Sequence, residues 1–147
     1  MIEPTGKYAK PGLTALTDGL YGGTTFVESW IGWEGKDGAF VVDLGEVKDI
    51  KKASTDFLYL VSHWILLPVE VSYSYSLDGE NYEFWDKLKI PEERSRKVMF
   101  KEISVKSETP LKARYIKVEV NATKVCPHWH YGVGHPSWFF IDEVTVE

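Results

Sequence analysis

Hydrophobic residues recur at every second position in several short segments of the chain. In "ARYIKVEV", Ile116, Val118 and Val120 fall on one face, and Lys117 and Glu119 fall on the other. The same period of two occurs in "AFVVDLG" and "VEVSYSYSLDG", and the last segment, "SWFFIDEVTVE", is rich in β-forming residues. Because consecutive side chains of a strand point to opposite faces, this pattern predicts half-buried β-strands.

Polar segments that contain Gly and Asp separate these strands, as in "DLGEVKDI" and "SLDGENY", and such residues are typical of turns. Helical periodicity is almost absent, and "IPEERSRK" predicts at most one or two helical turns. Roughly eight short strands joined by polar turns predict an all-β sandwich, because a sheet with one buried face must pack against another sheet.

Composition narrows the function classes. A length of 147 residues suits one domain. The net charge of −5 argues against nucleic acid as a partner, since a protein that neutralises phosphates is normally basic. No apolar run reaches membrane-spanning length, because Ser62 and His63 interrupt the longest one, so we expect no membrane insertion. With 6 Trp, 8 Tyr and 7 Phe, we expect some aromatic side chains at the surface.

The order of the motifs is more specific than the fold class. "ALTDGLYGG", "WIGWEGKDGAFVVDLGEVKDI", "YSLDGENYEFW", "ARYIKVEV" and "WFFIDEVTVE" follow one another across nearly the whole chain. This order resembles the coagulation factor 5/8 type C, or discoidin-like, domain. The resemblance implies that residues 1–147 form a single eight-stranded jelly-roll β-sandwich of the galactose-binding-like kind, a fold that carbohydrate-binding modules also use.

A closer resemblance concerns a bacterial enzyme module. "SWIGWEGKD", "FLYLVSHWILLPVEVSYSYSLDG" and "HWHYGVG" followed by "SWFFIDEV" are similar to the C-terminal module of bacterial β-N-acetylhexosaminidases (chitobiases). The resemblance implies a non-catalytic accessory module of a larger glycosidase that is secreted, periplasmic or located at the cell surface. Such a module binds glycan or packs beside the catalytic domain of the same parent chain.

The segment "CPHWHYGVGHPSWFF", residues 126–140, has the residue types of a metal site. Cys126, His128, His130 and His135 have the chemistry of four zinc ligands. However, Pro127 separates the first two, and the spacing is not that of a zinc finger or ribbon. The pattern therefore favours a loop over a zinc site.

The sequence also contains no recognisable catalytic motif. No Ser, Cys or Thr lies in a nucleophile motif. Asp142 and Glu143 are adjacent in a predicted strand, so we expect their carboxylates to point to opposite faces and not to act on one bond. We therefore predict no enzymatic activity, as the resemblance also implies.

The residue types of residues 126–140 fit a sugar-binding surface better than a zinc site or a catalytic site. A pyranose presents a face of C–H groups that stacks on an aromatic ring, and its hydroxyls need hydrogen-bonding side chains nearby. Trp129 is expected to stack on a sugar, His130 or His63 to bind hydroxyls, and Tyr131 and Trp64 to form the rim. The candidate carbohydrate-binding residues are Trp30, His63, Trp64, Trp129, His130 and Tyr131.

Several alternatives remain open at this stage. Trp129 and His130 are as well explained by packing as by binding, and Trp33 and Trp138 are either core residues or site residues. On the resemblance, the ligand would be a glycan of galactose or N-acetylhexosamine type. The domain would otherwise be a structural spacer that packs against the catalytic domain, or a protein-interaction or adhesion domain.

The resemblance further implies a structural calcium ion where the two chain ends meet. Asp18 and Glu143 would be side-chain ligands, and backbone carbonyls would complete the oxygen ligands that calcium prefers. Gly23 stands where the family often has Thr, so this calcium ligand differs from the family pattern. The implied metal ligands are Ala15, Asp18, Leu20, Gly23, Asp142 and Glu143.

Overall fold

The computed structural model describes residues 31–147, and these residues form six antiparallel strands in one sheet. The spatial order of the strands is β1-β6-β2-β5-β3-β4. The strands are β1 (Ile31–Glu34), β2 (Gly38–Tyr59), β3 (Glu70–Ser76), β4 (Glu83–Lys89), β5 (Met99–Asn121) and β6 (Trp138–Val146). The helical structure in the described part of the chain is a single 3-10 turn, Val61–His63.

The long ladder between β2 and β5 is interrupted twice. Residues 44–47 of β2 face only residue 114 of β5, and residues 107–110 of β5 face only residue 51 of β2. Each strand therefore leaves the ladder once, and extra residues of this kind bend a sheet and increase its twist.

Local sequence explains the first interruption. Gly45 has a φ of 86°, a left-handed conformation that a residue without Cβ adopts at little cost. Its N–H donates to the Asp43 carboxylate at 2.8 Å. This turn is the one that the "DLG" motif predicts.

The interruptions separate two halves of the sheet that face each other. β6 pairs with residues 53–58 of β2, on one side of the interruptions, and β3 pairs with residues 115–121 of β5, on the other. Side chains join the halves across the core, because Tyr73 of β3 donates its hydroxyl proton to the Ile103 carbonyl at 3.0 Å.

The fold class predicted from the sequence, an all-β sandwich, is thereby confirmed. Residues 31–147 contain six strands, whereas the prediction of eight strands concerned the whole chain. The predicted strands in "AFVVDLG" and "ARYIKVEV" are each only part of a longer strand, β2 or β5, that continues through an interruption. In the second of them Ile116, Val118 and Val120 are buried, as predicted.

Stacked aromatic rings fill the core between the halves. Trp33 is completely buried and lies parallel to Phe139, with ring centroids 4.9 Å apart. A Cβ at Gly38 would lie 2.7 Å from the Phe139 ring, so the backbone approaches this stack closely. Trp33 therefore belongs to the core. Trp138 is half-buried, and its ring packs edge-on against Phe140 with centroids 5.6 Å apart.

Residues 90–97 contain no helical turn, which lies within the limit of one or two turns predicted from the sequence. Pro91 lacks a backbone N–H, and the buried Tyr59 holds the segment by side-chain hydrogen bonding. Its hydroxyl lies 2.6 Å from the Ser95 carbonyl and 3.2 Å from the Glu93 carbonyl. No helix among residues 31–147 is long and apolar enough to cross a membrane.

Removal of the Tyr73 hydroxyl tests the contact between the two halves. Because Tyr73 gives its proton to Ile103, the Thr55 hydroxyl, 2.8 Å away, donates to the Tyr73 oxygen. Tyr73→Phe should lower the free energy of unfolding by about 1–3 kcal/mol, since it leaves two buried polar groups without this partner. Urea unfolding measures the change.

Tyr75→Phe is the matched control, since it removes a tyrosine hydroxyl from the same strand. Its hydroxyl bonds to Glu83 at an exposed position. We expect a change within about 0.5 kcal/mol for this surface substitution. Equal effects of the two substitutions would contradict the assignment of the Tyr73 bond as the contact between the halves.

Candidate functional site

The segment of residues 126–137 is a compact loop that closes on its own backbone. The N–H of Cys126 donates to the His135 carbonyl at 2.8 Å, and the N–H of Gly134 donates to the Cys126 carbonyl at 3.1 Å. The Cys126 side chain is buried at the base of the loop, and burial raises the pKa of its thiol. The loop is therefore an ordered unit that presents residues 128–133 beyond its base.

His130 fastens this loop to the 3-10 turn. Its ring is buried, and Nε2 lies 2.8 Å from the Val61 carbonyl. The N–H of Gly132 donates to Nδ1 at 2.9 Å, so the ring carries its proton on Nε2 and donates it to Val61. Both ring nitrogens are used inside the protein. These bonds occupy the atoms that were expected to contact sugar hydroxyls, and they give His130 a supporting role in the loop.

Trp64 supports the loop from behind. It follows the 3-10 turn with a left-handed φ of 63°. Its ring packs edge-on against Tyr131 and His130, with centroids 6.0 and 6.3 Å apart. A Cβ at Gly132 would lie 2.9 Å from this ring, so glycine permits the close approach. Trp64 thus packs against the rings of Tyr131 and His130, and its expected place at the rim of a sugar site stays a prediction.

Tyr131 is an exposed and firmly held aromatic ring. It is 70% exposed, and its ring stacks on His130 with centroids 4.5 Å apart and an interplanar angle of 23°. Its hydroxyl donates to the Ser62 carbonyl. One face of the ring is supported by imidazole, and the large exposure leaves the ring accessible to a ligand.

Trp129 is half-buried and has two polar contacts with the segment 90–97. Its indole N–H donates to the Glu92 carboxylate. The Arg94 guanidinium lies over the ring, with Cζ 5.6 Å from the centroid, and also pairs with Glu92 at 3.0 Å. The indole N–H and then the guanidinium lower the pKa of Glu92, so this carboxylate stays ionised at neutral pH.

Trp129 lines two neighbouring cavities. The larger has a volume of about 590 Å³ and is open to solvent. The smaller, of about 200 Å³, is mainly apolar and is bounded by residues 66–69, 90–93, 123 and 127. The residues around the larger cavity, which we call the arginine cavity, are Val61, Ser62, Arg94, Arg96, Trp129, His130 and Tyr131.

The structure brings together four of the six predicted carbohydrate-binding residues. Trp129, His130 and Tyr131 line the arginine cavity, and Trp64 packs behind it. His63 is exposed on the same 3-10 turn but does not line the cavity. Trp30 lies outside the described residues.

Arg94 and Arg96 were missed by the sequence analysis, together with their neighbour Glu92. The segment reads as a polar connection, and no local pattern relates it to a loop more than 30 residues later. The hydrogen bonds from Tyr59 to the backbone of this segment position it beside the loop, and this placement is a tertiary effect. The two arginines at alternate positions were the one feature of the sequence that could have drawn attention to this segment as part of the site.

The two groups of residues considered as metal ligands differ in how far the structure describes them. In residues 31–147 no three His, Cys, Asp or Glu side chains are grouped closely enough to hold a metal ion. The four residues considered for zinc all lie in this range. Of the residues implied for calcium, Asp142 and Glu143 are described and buried, whereas Ala15, Asp18, Leu20 and Gly23 lie outside the described residues.

The strand around the two acidic residues is irregular. Residues 142–143 of β6 face only residue 56 of β2, which forms a bulge. The strict alternation expected for Asp142 and Glu143 is therefore interrupted there, and both side chains are buried although they are adjacent.

Comparisons with known proteins show structural likeness without close sequence similarity. No family model and no curated protein matches the sequence. The fold is similar to that of the CBM32-1 module of a family 31 glycoside hydrolase from Clostridium perfringens, with a TM-score of 0.60 and 18% identity. That match covers 96% of this chain and 87% of the other.

Two further solved structures are similar. One is the family 32 carbohydrate-binding module of Clostridium perfringens NanJ, in complex with galactose, with a TM-score of 0.58, 16% identity and coverage of 98% and 88%. The other is the C-terminal domain of a Bacteroides fragilis chitobiase, with a TM-score of 0.51, 18% identity and coverage of 92% and 78%.

The chain therefore has the galactose-binding-like, or discoidin, fold of these modules. This confirms at the level of the fold the resemblance seen in the order of the sequence motifs.

Substitution of His130 tests its role as the support of the loop. His130→Ala should lower the free energy of unfolding by about 2–4 kcal/mol, because it removes two hydrogen bonds and a buried ring. Urea unfolding gives the free energy, and the near-ultraviolet circular dichroism of Trp64 and Tyr131 reports the local rearrangement.

His128→Ala is the matched control, because His128 belongs to the same loop but is exposed. We expect its effect to stay within about 0.5 kcal/mol. If His130→Ala were as mild as His128→Ala, His130 would not be the residue that holds the loop.

Proposed function

We propose that this protein is a non-catalytic carbohydrate-binding module whose glycan site is the arginine cavity. The observation that carries the proposal is the exposed ring of Tyr131, held in place by His130 and by the Ser62 carbonyl, beside two arginine side chains. A supported aromatic face next to hydrogen-bond donors is the combination that a pyranose ring requires.

The proposed roles differ from those expected from the sequence. Tyr131 provides the stacking face, because Trp129 already uses its indole N–H and has Arg94 over its ring. Trp129 forms a wall of the cavity, and Arg94 and Arg96 donate to oxygens of the sugar. A cavity of about 590 Å³ accommodates a small saccharide, since ligand pockets span roughly 300–1,000 Å³.

The galactose bound to the similar NanJ module supports a galactose-type ligand, and the likeness to the chitobiase domain supports an N-acetylhexosamine type. We further propose that the module serves a glycosidase that is secreted, periplasmic or located at the cell surface. In that setting its protein partner is the catalytic domain of the same parent chain.

Tyr131→Ala should abolish glycan binding while the fold persists. A titration with galactose- and N-acetylhexosamine-terminated oligosaccharides, followed by NMR chemical shifts, should show saturable binding to the wild type. We expect dissociation constants near the millimolar to high micromolar range, because a shallow site contacts few ligand atoms. Loss of one stacking ring should weaken binding at least about tenfold.

Val133→Ala is the control, since Val133 is exposed in the same loop but does not line the cavity. It should bind as the wild type does. Wild-type binding that survives Tyr131→Ala would place the glycan elsewhere. No binding across a broad glycan panel would contradict the function and leave the structural spacer or adhesion domain as the better interpretation.

We also propose the calcium ion that the family resemblance implies. Glu143 would contribute its carboxylate and Asp142 its carbonyl, with the remaining ligands from Ala15, Asp18, Leu20 and Gly23. The fact that supports it is the burial of two adjacent acidic side chains in a bulge of β6, because buried carboxylates require compensation by cations or hydrogen bonds.

Calcium should raise the melting temperature of the protein if this site exists. At a calcium concentration 100 times the dissociation constant, the stabilisation is about 2.7 kcal/mol. Differential scanning calorimetry in calcium and in excess chelator measures it, and Glu143→Gln should remove most of the difference. Identical melting temperatures of the wild type in calcium and chelator would contradict the proposal.

A further inference from the structure

The arginine cavity has an excess of hydrogen-bond donors. A guanidinium group carries five N–H donors and no acceptor, and Arg94 and Arg96 both line the cavity. The hydroxyl proton of Tyr131 is given to the Ser62 carbonyl, and both nitrogens of His130 are used internally. The polar groups that remain for a ligand are therefore the two guanidinium groups, the Ser62 hydroxyl and the accepting oxygen of Tyr131, so donors outnumber acceptors.

Neutral sugars do not match this inventory well. Each hydroxyl of a neutral sugar both donates and accepts, so a site for it normally offers acceptors as well as donors. No carboxylate lines the cavity among the described residues. An anionic oxygen, in contrast, only accepts, and two guanidinium groups satisfy it with charge-assisted hydrogen bonds.

The charges around the cavity lead to the same ligand chemistry. Arg94 is paired with Glu92, a residue that lines the smaller cavity. Among residues 31–147, Arg96 makes no ion pair. These three residues together leave one positive charge at the cavity, although the protein as a whole has a net charge of −5.

We infer that the glycan bound in the arginine cavity is acidic, with a carboxylate or sulfate group contacting Arg96 and the accessible edge of Arg94. The sugar ring stacks on Tyr131, and the anionic group lies on the side of the cavity formed by residues 94–96. This inference rests on the proposed function and specifies the class of sugar. Carboxylate and sulfate share the geometry that a guanidinium fork recognises.

Four methyl glycosides that differ at one carbon test the inference. They are the glycosides of galactose, galacturonic acid, galacturonic acid methyl ester and galactose 6-sulfate, titrated by NMR at low and high salt. We expect galacturonic acid or the sulfate to bind about tenfold more tightly than galactose, because hydrogen bonds to charged groups are stronger than neutral ones. The ester, which is neutral, should bind like galactose.

Arg96→Gln and Lys97→Gln separate the specific contact from general charge. Both remove one positive charge at adjacent exposed positions, but only Arg96 lines the cavity. Arg96→Gln should abolish the preference for the acidic sugar, so that its affinity for the acidic sugar falls about tenfold more than its affinity for galactose. Lys97→Gln should keep the preference. Added salt should reduce the preference, since it screens exposed charges.

The outcomes distinguish this inference from the proposed function. Equal affinity for all four glycosides, or a preference that survives Arg96→Gln, overturns the acidic ligand while glycan binding stands. If no glycoside binds, the acidic ligand is overturned, and the broad glycan panel described above decides whether glycan binding stands. Tighter binding of either anionic sugar that is lost only in Arg96→Gln supports the inference, and the two anionic sugars show which group is preferred.

Discussion

The two interruptions of the β2–β5 ladder are the constraint on which the rest of the structure depends. Strands of this length would otherwise form one extended hairpin with little to bury. Residues 44–47 and residues 107–110 leave the ladder near its middle, so the two halves of the sheet can face each other. The hydrogen bond from Tyr73 to Ile103 and the parallel rings of Trp33 and Phe139 then join a single core.

The location of the candidate site follows from this arrangement. The 3-10 turn follows β2, the loop of residues 126–137 precedes β6, and these two strands lie side by side. Leu58 of β2 pairs with Phe140 of β6, and Ile65 forms a further bridge with Trp138. The turn that follows β2 and the loop that precedes β6 are therefore neighbours. His130 connects them, and its buried ring determines how far Tyr131 projects into solvent.

Arg94 and Trp129, which line the arginine cavity, form a small polar network with Glu92. One carboxylate accepts from the indole N–H and from the guanidinium, and the guanidinium lies over the indole. Each contact is exposed and therefore contributes little to the stability of the fold. Their combined effect is to hold Arg94 in place before a ligand arrives, which reduces the entropy lost on binding.

The strand class and a candidate site in residues 126–140 could be predicted from the sequence, for a local reason. A period of two and a Gly or Asp at a turn report directly on backbone conformation, and an aromatic and His-rich loop departs from the composition of a simple connection. These local patterns did not show which role each residue of the loop has. Trp129 and Tyr131 are similar in chemistry, and their exposure depends on which neighbour packs against each ring.

The order of the motifs also determined the likeness to the galactose-binding-like fold, because each motif marks a turn or strand at a characteristic place along the chain. Tertiary structure alone decided that His130 supports the loop, that Tyr131 is the exposed ring and that Arg94 and Arg96 line the same cavity. These assignments depend on hydrogen bonds between segments more than 30 residues apart, such as Tyr59 to Ser95 and His130 to Val61. A local pattern of residues carries no information about which distant carbonyl a side chain will reach.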